Sequence, residues 1–335
     1  MPADPLTPAL SRREREKRHG RIRALAASFL PIAGGVAVKV GLIGLGSMGI
    51  GAALRLQGAG HEVHGCDTRP DAGAELLAAG GASVAAASDL PPGLDALIVF
   101  VVNAAQAEAV LFGPAGALER VTEGGVVLCC TTVAPEVARS LGARVTGAGR
   151  LFLDAPVSGG AVGARGGTMT VMGSGAPAAF DRAGPVLKAV AGKVWRLGDQ
   201  PGIGSTVKMV NQLLAGVHIA VAAEAMALGI RAGADPQTLY DVISSSAGSS
   251  WMFQNRVPHI LAGDDTPLSA VNIFVKDLGI VLDQARALTF PLPMASAAHQ
   301  LFLAAAAAGH GGRDDAFVIR VWEALAGIAL PEPKG

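Results

Sequence analysis

Lys208 and Asn211 lie three positions apart in Gly202-Ile-Gly204-Ser-Thr-Val-Lys208-Met-Val-Asn211, a segment otherwise made of small and apolar residues. On a helix that spacing puts both on one face. A lysine there suits two readings. It is an ordinary side chain whose stem lies on apolar surface while its head reaches water, or a partly desolvated amine whose pKa falls toward neutrality and which can then shuttle a proton. The Asn211 amide would hold either that amine or a hydroxyl in line. A second candidate is Ser158-Gly159-Gly160, at the end of Asp154-Ala-Pro-Val-Ser-Gly-Gly. Such a turn offers a hydroxyl and unshielded N–H groups to a carboxylate, and it equally fits a flexible connection.

The third group is Gly44-Leu45-Gly46-Ser47-Met48-Gly49. Between a strand and a helix, Gly44 permits the tight turn, Gly46 lets backbone approach a pyrophosphate, and Gly49 lets helix and strand pack closely. The helix N-terminus then offers free N–H groups and a positive dipole end. Among 45 glycines a lone match is weak, but Asp67 follows 21 residues after Gly46 at the end of the next strand. Its carboxylate would accept from the adenosine ribose hydroxyls and repel a 2′-phosphate. Arg69 is in reach of a phosphate, yet the acidic strand end ahead of it points to NAD rather than NADP.

These groups need a scaffold. From Lys39 onward β-rich runs alternate with helical patterns: VKVGLIGLG, GIGAALRLQGAG, HEVHGCD, DAGAELLAAGG, DALIVFVV, GGVVLCCTT. The alternation predicts an α/β chain with a Rossmann-type, doubly wound parallel sheet, its apolar strands central. Past Gly202 no strand pattern follows: residues 205–232 read as one long helix, and prolines 236, 258, 267, 291 and 293 punctuate the remaining helices. The organisation expected is an NAD-binding domain over 38–201 and an all-helical substrate and dimerisation domain over 202–330. The long apolar helix is a natural homodimer or homotetramer surface, or an ordinary core element.

Composition excludes other classes. The 335 residues carry 27 basic and 27 acidic side chains and few aromatics, and beyond the first two dozen positions no basic block could follow a phosphate backbone, so nucleic acid is not an expected partner. Three cysteines, two of them adjacent, suit neither a disulfide framework nor metal ligation and point to a reducing cytoplasm. Scattered histidines give no metal spacing. GGAVGARGGTMTVMGSG lacks the ending of a phosphate loop. No uninterrupted apolar run reaches about 18 residues, so a membrane span is not indicated. Residues 1–24 hold seven Arg or Lys and resemble translated intergenic repeat DNA. Residues 1–37 are therefore expected to be disordered, or to lie upstream of a true start near Val36 or Val38.

Taken together and in order, GLIGLGSMG, the Asp67 strand end, DAPVSGG, the glycine-rich run to Lys208 and Asn211, and Lys276-Asp277-Leu278 resemble the 3-hydroxyisobutyrate dehydrogenase-like family of β-hydroxyacid dehydrogenases, over about residues 38–330. The resemblance implies that Lys208 is catalytic, that Ser158, Gly159 and Gly160 bind the substrate carboxylate, that Asn211 orients substrate, and that Thr132 and Lys276 lie near the cofactor. Val102 and Asn103 are placed with the cofactor residues. Where many members carry Leu-Pro after the fourth strand, this chain has Val102-Asn103-Ala104-Ala105-Gln106. With SSWMFQNRVPHIL and SAVNIFVKDLGIVLD it looks like the L-threonate dehydrogenase branch. That implies oxidation of a four-carbon acid at C2, for which Asn103 with Ser249 or Ser250 would supply extra hydrogen bonds. Oxidation of 3-hydroxyisobutyrate, reduction of tartronate semialdehyde or an imine, and an idle dinucleotide sensor stay open as alternatives.

Overall fold

The computed structural model describes residues 37–330, so the expected N-terminal extension lies almost wholly outside the described residues. Strands β1 (Lys39–Ile43), β2 (Glu62–Cys66), β3 (Ala82–Val84), β4 (Leu94–Val99), β5 (Val121–Cys129) and β6 (Leu151–Asp154) pair in parallel in the order β3-β2-β1-β4-β5-β6. That is the doubly wound order, and it reverses between β1 and β4, where a crevice opens beyond the carboxyl ends of the strands. Successive residues of β4 and β5 enter different cores. Ala96, Ile98, Val126 and Leu128 pack with α1 (Ser47–Gly58) and α6 (Pro177–Val190), while Leu97, Val99, Val127 and Cys129 pack with α3 (Ala104–Phe112) and α4 (Pro135–Gly147). This burial on both faces explains the unbroken apolar runs of the sequence. It also separates the adjacent cysteines, since Cys129 faces one core and Cys130 packs against the other.

Short β3 was not legible in the sequence, nor were three further strands. GGAVGARGGTMTVMGSG forms α5 (Gly160–Gly166) and β8 (Met169–Ser174), the latter antiparallel to β6 and to β7 (Val157–Ser158), and β9 (Ala191–Gly198) pairs with β8 in parallel. Short helix α2 (Ala74–Ala78) follows β2.

From α7 (Ile203–Arg231) onward the described chain is helical: α8 (Pro236–Ser244), α9 (Trp251–Ala262), α10 (Val271–Ala287), α11 (Pro293–Ala305) and α12 (Val321–Ala326), around a core including Met226, Phe253, Phe274, Leu278 and Phe302. Pro236 and Pro293 open their helices as expected, where a missing N–H costs nothing. Pro258 does not punctuate, because it lies inside α9. Helix α7 starts two residues earlier than the sequence suggested. Its 29 residues are long and apolar enough to cross a membrane by length and composition. One face, however, carries Gly216, Ile219, Ala223 and Met226 into the protein interior.

Candidate active site

The glycine turn after β1 has the geometry that a dinucleotide needs. A Cβ on Gly49 would sit 1.7 Å from the Gly44 carbonyl oxygen, and one on Gly44, whose φ is +96°, would sit 2.6 Å from the Phe100 carbonyl oxygen. Both positions are closed to any side chain. At Gly46, by contrast, no heavy atom lies within 4 Å of where a Cβ would stand, which leaves the backbone open to a bulky anion. The first turn of α1, with Ser47 and Met48, has no side-chain cap, so its N–H groups are available to phosphate oxygens. Leu45 is buried and donates its N–H to Asp67 Oδ2 at 2.9 Å, tying the turn to the end of β2. Burial pulls the Asp67 carboxyl upward, but its bonds from Arg69 and Leu45 outweigh burial and hold it below the usual carboxylate range. The residues present therefore fit NAD.

After β4, Asn103 caps α3, its Oδ1 accepting from Gln106 N at 2.9 Å, while Gln106 Oε1 accepts from Val102 N at 2.8 Å. The loop is thus closed by its own side chains in a reciprocal cap. Val102 is half exposed at the crevice end of β4. Of the residues expected to reach a polyol, Asn103 uses its Oδ1 in the cap, Ser250 Oγ accepts from Phe253 N at 3.0 Å, and Ser249 Oγ accepts from Gln254 Nε2 at 3.1 Å; their own amide and hydroxyl hydrogens are not used in these bonds.

Lys208 is 8% exposed, and its Nζ donates to Gln212 Oε1 at 2.7 Å. Gln212 Nε2 donates in turn to Asp277 Oδ2 at 2.6 Å, from a residue 65 positions away. Lys276 Nζ lies 2.6 Å from Asp277 Oδ1 and donates to the Thr132 carbonyl at 3.3 Å. The structure therefore brings Lys208, Asn211, Lys276 and Thr132 into one polar chain that crosses from α7 through α10 to the loop after β5. Asn211 does not bond Lys208 itself; its Nδ2 donates to the same Gln212 oxygen at 3.1 Å. The direct partner of Lys208 is one helical turn on, at i+4 rather than i+3, which sequence reasoning missed although the same spacing rule names both positions. Asp277 was visible only as part of a motif, because a contact between distant helices leaves no local trace.

Burial lowers the Lys208 pKa to about 8, with Lys276 pushing the same way and the Asp277 charge opposing. An amine so placed is neutral in a useful fraction near physiological pH and can accept a proton.

Asp154, at the end of β6, is fully buried. Its Oδ2 accepts from Gly202 N (2.9 Å), Ser205 N (2.9 Å) and Ser174 Oγ (3.0 Å), and its Oδ1 from Ser205 Oγ (2.7 Å). This carboxylate caps the start of α7 from a distance, which accounts for the early helix start. The same β6 leads into Ser158-Gly159-Gly160, where Gly159 and Gly160 take φ of +126° and +60°. No hydrogen bond among the described residues joins that turn to Lys208; the two are linked through Asp154.

Known proteins resemble both halves. A family model described as the NAD binding domain of 6-phosphogluconate dehydrogenase matches residues 39–198, and one described as NAD-binding of NADP-dependent 3-hydroxyisobutyrate dehydrogenase matches 202–322. An L-threonate dehydrogenase of Cupriavidus necator is 56% identical over 88% of this chain and 98% of its own length. One from Escherichia coli K12 is 52% identical over 88% of this chain and 97% of its length. A crystal structure named 3-hydroxyisobutyrate dehydrogenase, from Salmonella typhimurium, is 52% identical with a TM-score of 0.81, covering 85% of this chain and 99% of the other.

Proposed function

The chain belongs to the 3-hydroxyisobutyrate dehydrogenase family of NAD-dependent hydroxyacid oxidoreductases, and from that premise we propose that it oxidises L-threonate at C2, with Lys208 as proton acceptor. Residues 38–201 serve as the cofactor domain, residues 202–330 as the substrate and dimerisation domain. The observation that carries the mechanism is the buried amine of Lys208, bound to a neutral amide and not directly to a carboxylate. Gln212 fixes its direction, and Asn211, on the same amide oxygen, keeps one further amide hydrogen for substrate. Ser158, Gly159 and Gly160 receive the substrate carboxylate. The glycine turn Gly44–Gly49, Asp67, Val102, Asn103, Thr132 and Lys276 hold the cofactor, which when bound supplies the hydride acceptor. The hydroxyl proton passes to Lys208 Nζ, so oxidation needs this amine neutral.

One experiment tests substrate and mechanism together: initial rates with NAD on L-threonate, D-threonate, erythronates, D-glycerate and 3-hydroxyisobutyrate, each from below to above pH 8. L-Threonate is expected to give the highest kcat/KM. Oxidation should rise with pH and level off above about 8, as Lys208 loses its proton, while reduction of the oxo-acid should fall over the same range. Equal use of L-threonate and 3-hydroxyisobutyrate would remove the substrate assignment, and the Salmonella relative's name makes that comparison the informative one.

The enzyme is also proposed to act in the cytoplasm, where its three free cysteines stay reduced, and as a homo-oligomer. On α7, Ile203, Val207, Val210, Leu214, Val221 and Leu228 are exposed on the face turned away from Lys208, at steps of four or three residues and then of seven. A seam along this helix, roughly 43 Å long and ~10 Å wide, offers about 400 Å² per protomer, half of the ~800 Å² per partner of a standard interface. Flanking surfaces must supply the rest. A monomer by light scattering would remove this assembly.

A further inference from the structure

Asp67 has four acceptor sites, and four donors fill them. Leu45 N reaches Oδ2 at 2.9 Å, Arg69 N reaches Oδ1 at 2.9 Å, and the Arg69 guanidinium grips both oxygens, Nε to Oδ1 at 3.1 Å and Nη2 to Oδ2 at 3.2 Å. The two backbone bonds are built into the turns after β1 and β2. The guanidinium is different: its side chain is 60% exposed, against 11% for Asp67, so it can leave into water at small cost.

Ribose hydroxyls that donate to Asp67 need the very acceptor sites that the guanidinium occupies. We propose that Arg69 is a latch that competes with the adenosine ribose for Asp67, so that the guanidinium must be displaced for the dinucleotide to bind. This inference rests on the reading of the chain as NAD-dependent. Binding of NAD releases the guanidinium from Asp67 into water, where it stays cationic. While Asp67 is present, its carboxylate both holds Arg69 and repels a 2′-phosphate. With the carboxylate gone, the same guanidinium is freed of its ion pair and has donors and charge that match a phosphate.

The test is calorimetric titration of the full-length protein with NAD and with NADP, for the wild type, Arg69→Gln, Asp67→Ser and the double variant. Removing the competitor is expected to tighten NAD binding in Arg69→Gln by about two- to fivefold, the scale of one exposed ion pair. Asp67→Ser is expected to bind NADP more tightly than NAD, and the double variant to lose that gain by about tenfold or more, as one charged contact is removed. Weaker or unchanged NAD binding in Arg69→Gln would overturn the latch, as would NADP binding in Asp67→Ser that is indifferent to Arg69. A wild type that itself prefers NADP would instead overturn the NAD reading beneath it, so the two failures are distinguishable.

Discussion

Lys208→Met is expected to lower kcat for hydroxyacid oxidation by about two to four orders of magnitude, the usual contribution of a positioned base, while the NAD dissociation constant changes little. The substitution keeps a stem of four atoms, with sulfur in place of one methylene, and removes the amine. Gln212 is not stranded, because Asn211 still donates to its oxygen at 3.1 Å. Nor should the fold weaken. The native environment holds this lysine at a pKa of about 8, against 10.5 when exposed, so the charged form is disfavoured by about 3 kcal/mol on folding. The sign follows from linkage: a base with a depressed folded pKa carries this penalty in full below pH 8 and sheds it as pH rises toward 10.5. At neutral pH the methionine variant should therefore melt no lower than the wild type. Single-turnover rates, calorimetric NAD titration and thermal melts check the three parts; loss of NAD binding along with activity would assign Lys208 to the cofactor rather than to the proton.

The second large effect is expected at a residue that touches no reactant. Asp154→Ala removes an acceptor from four donors in a fully buried site, and orphaned buried donors of this kind cost about 3–5 kcal/mol. Because two of those donors are the N–H groups at the start of α7, the loss should also loosen the first turns of the helix that carries Lys208. Asp154→Asn is expected to stay within about 1 kcal/mol of the wild type: its oxygen can replace Oδ2, and its amide can donate to Ser205 Oγ, a hydroxyl able to accept. Denaturant melts of the two variants, with kcat measured on whatever remains folded, separate a capping role from a mere need for volume. Equal destabilisation by Ala and Asn would show that the charge itself is required.

The contrast between these residues marks what could be read from the chain. Local signals carried far: Gly44, Gly46 and Gly49 each meet the steric condition their spacing implied, the central strands lie where unbroken apolar runs placed them, and Lys208 was conspicuous as a charge in an apolar helix. What escaped depends on residues distant in sequence. Gln212 gains its meaning from Asp277, and Asp154 from Gly202 and Ser205, 48 and 51 positions on. β8 and β9 were missed because glycine-rich flanks disguise strands whose partners come from elsewhere in the sheet. The capping role of Asn103 also escaped, since it depends on where Gln106 N lies once the helix has formed.

The loop after β4 has a bearing on how such enzymes diversify. Val102, Asn103 and Gln106 satisfy one another within five residues, so the segment asks little of the sheet beneath it. A segment that closes these bonds within itself behaves as an exchangeable part: its sequence can change without disturbing the packing of β4 and β5 beneath it.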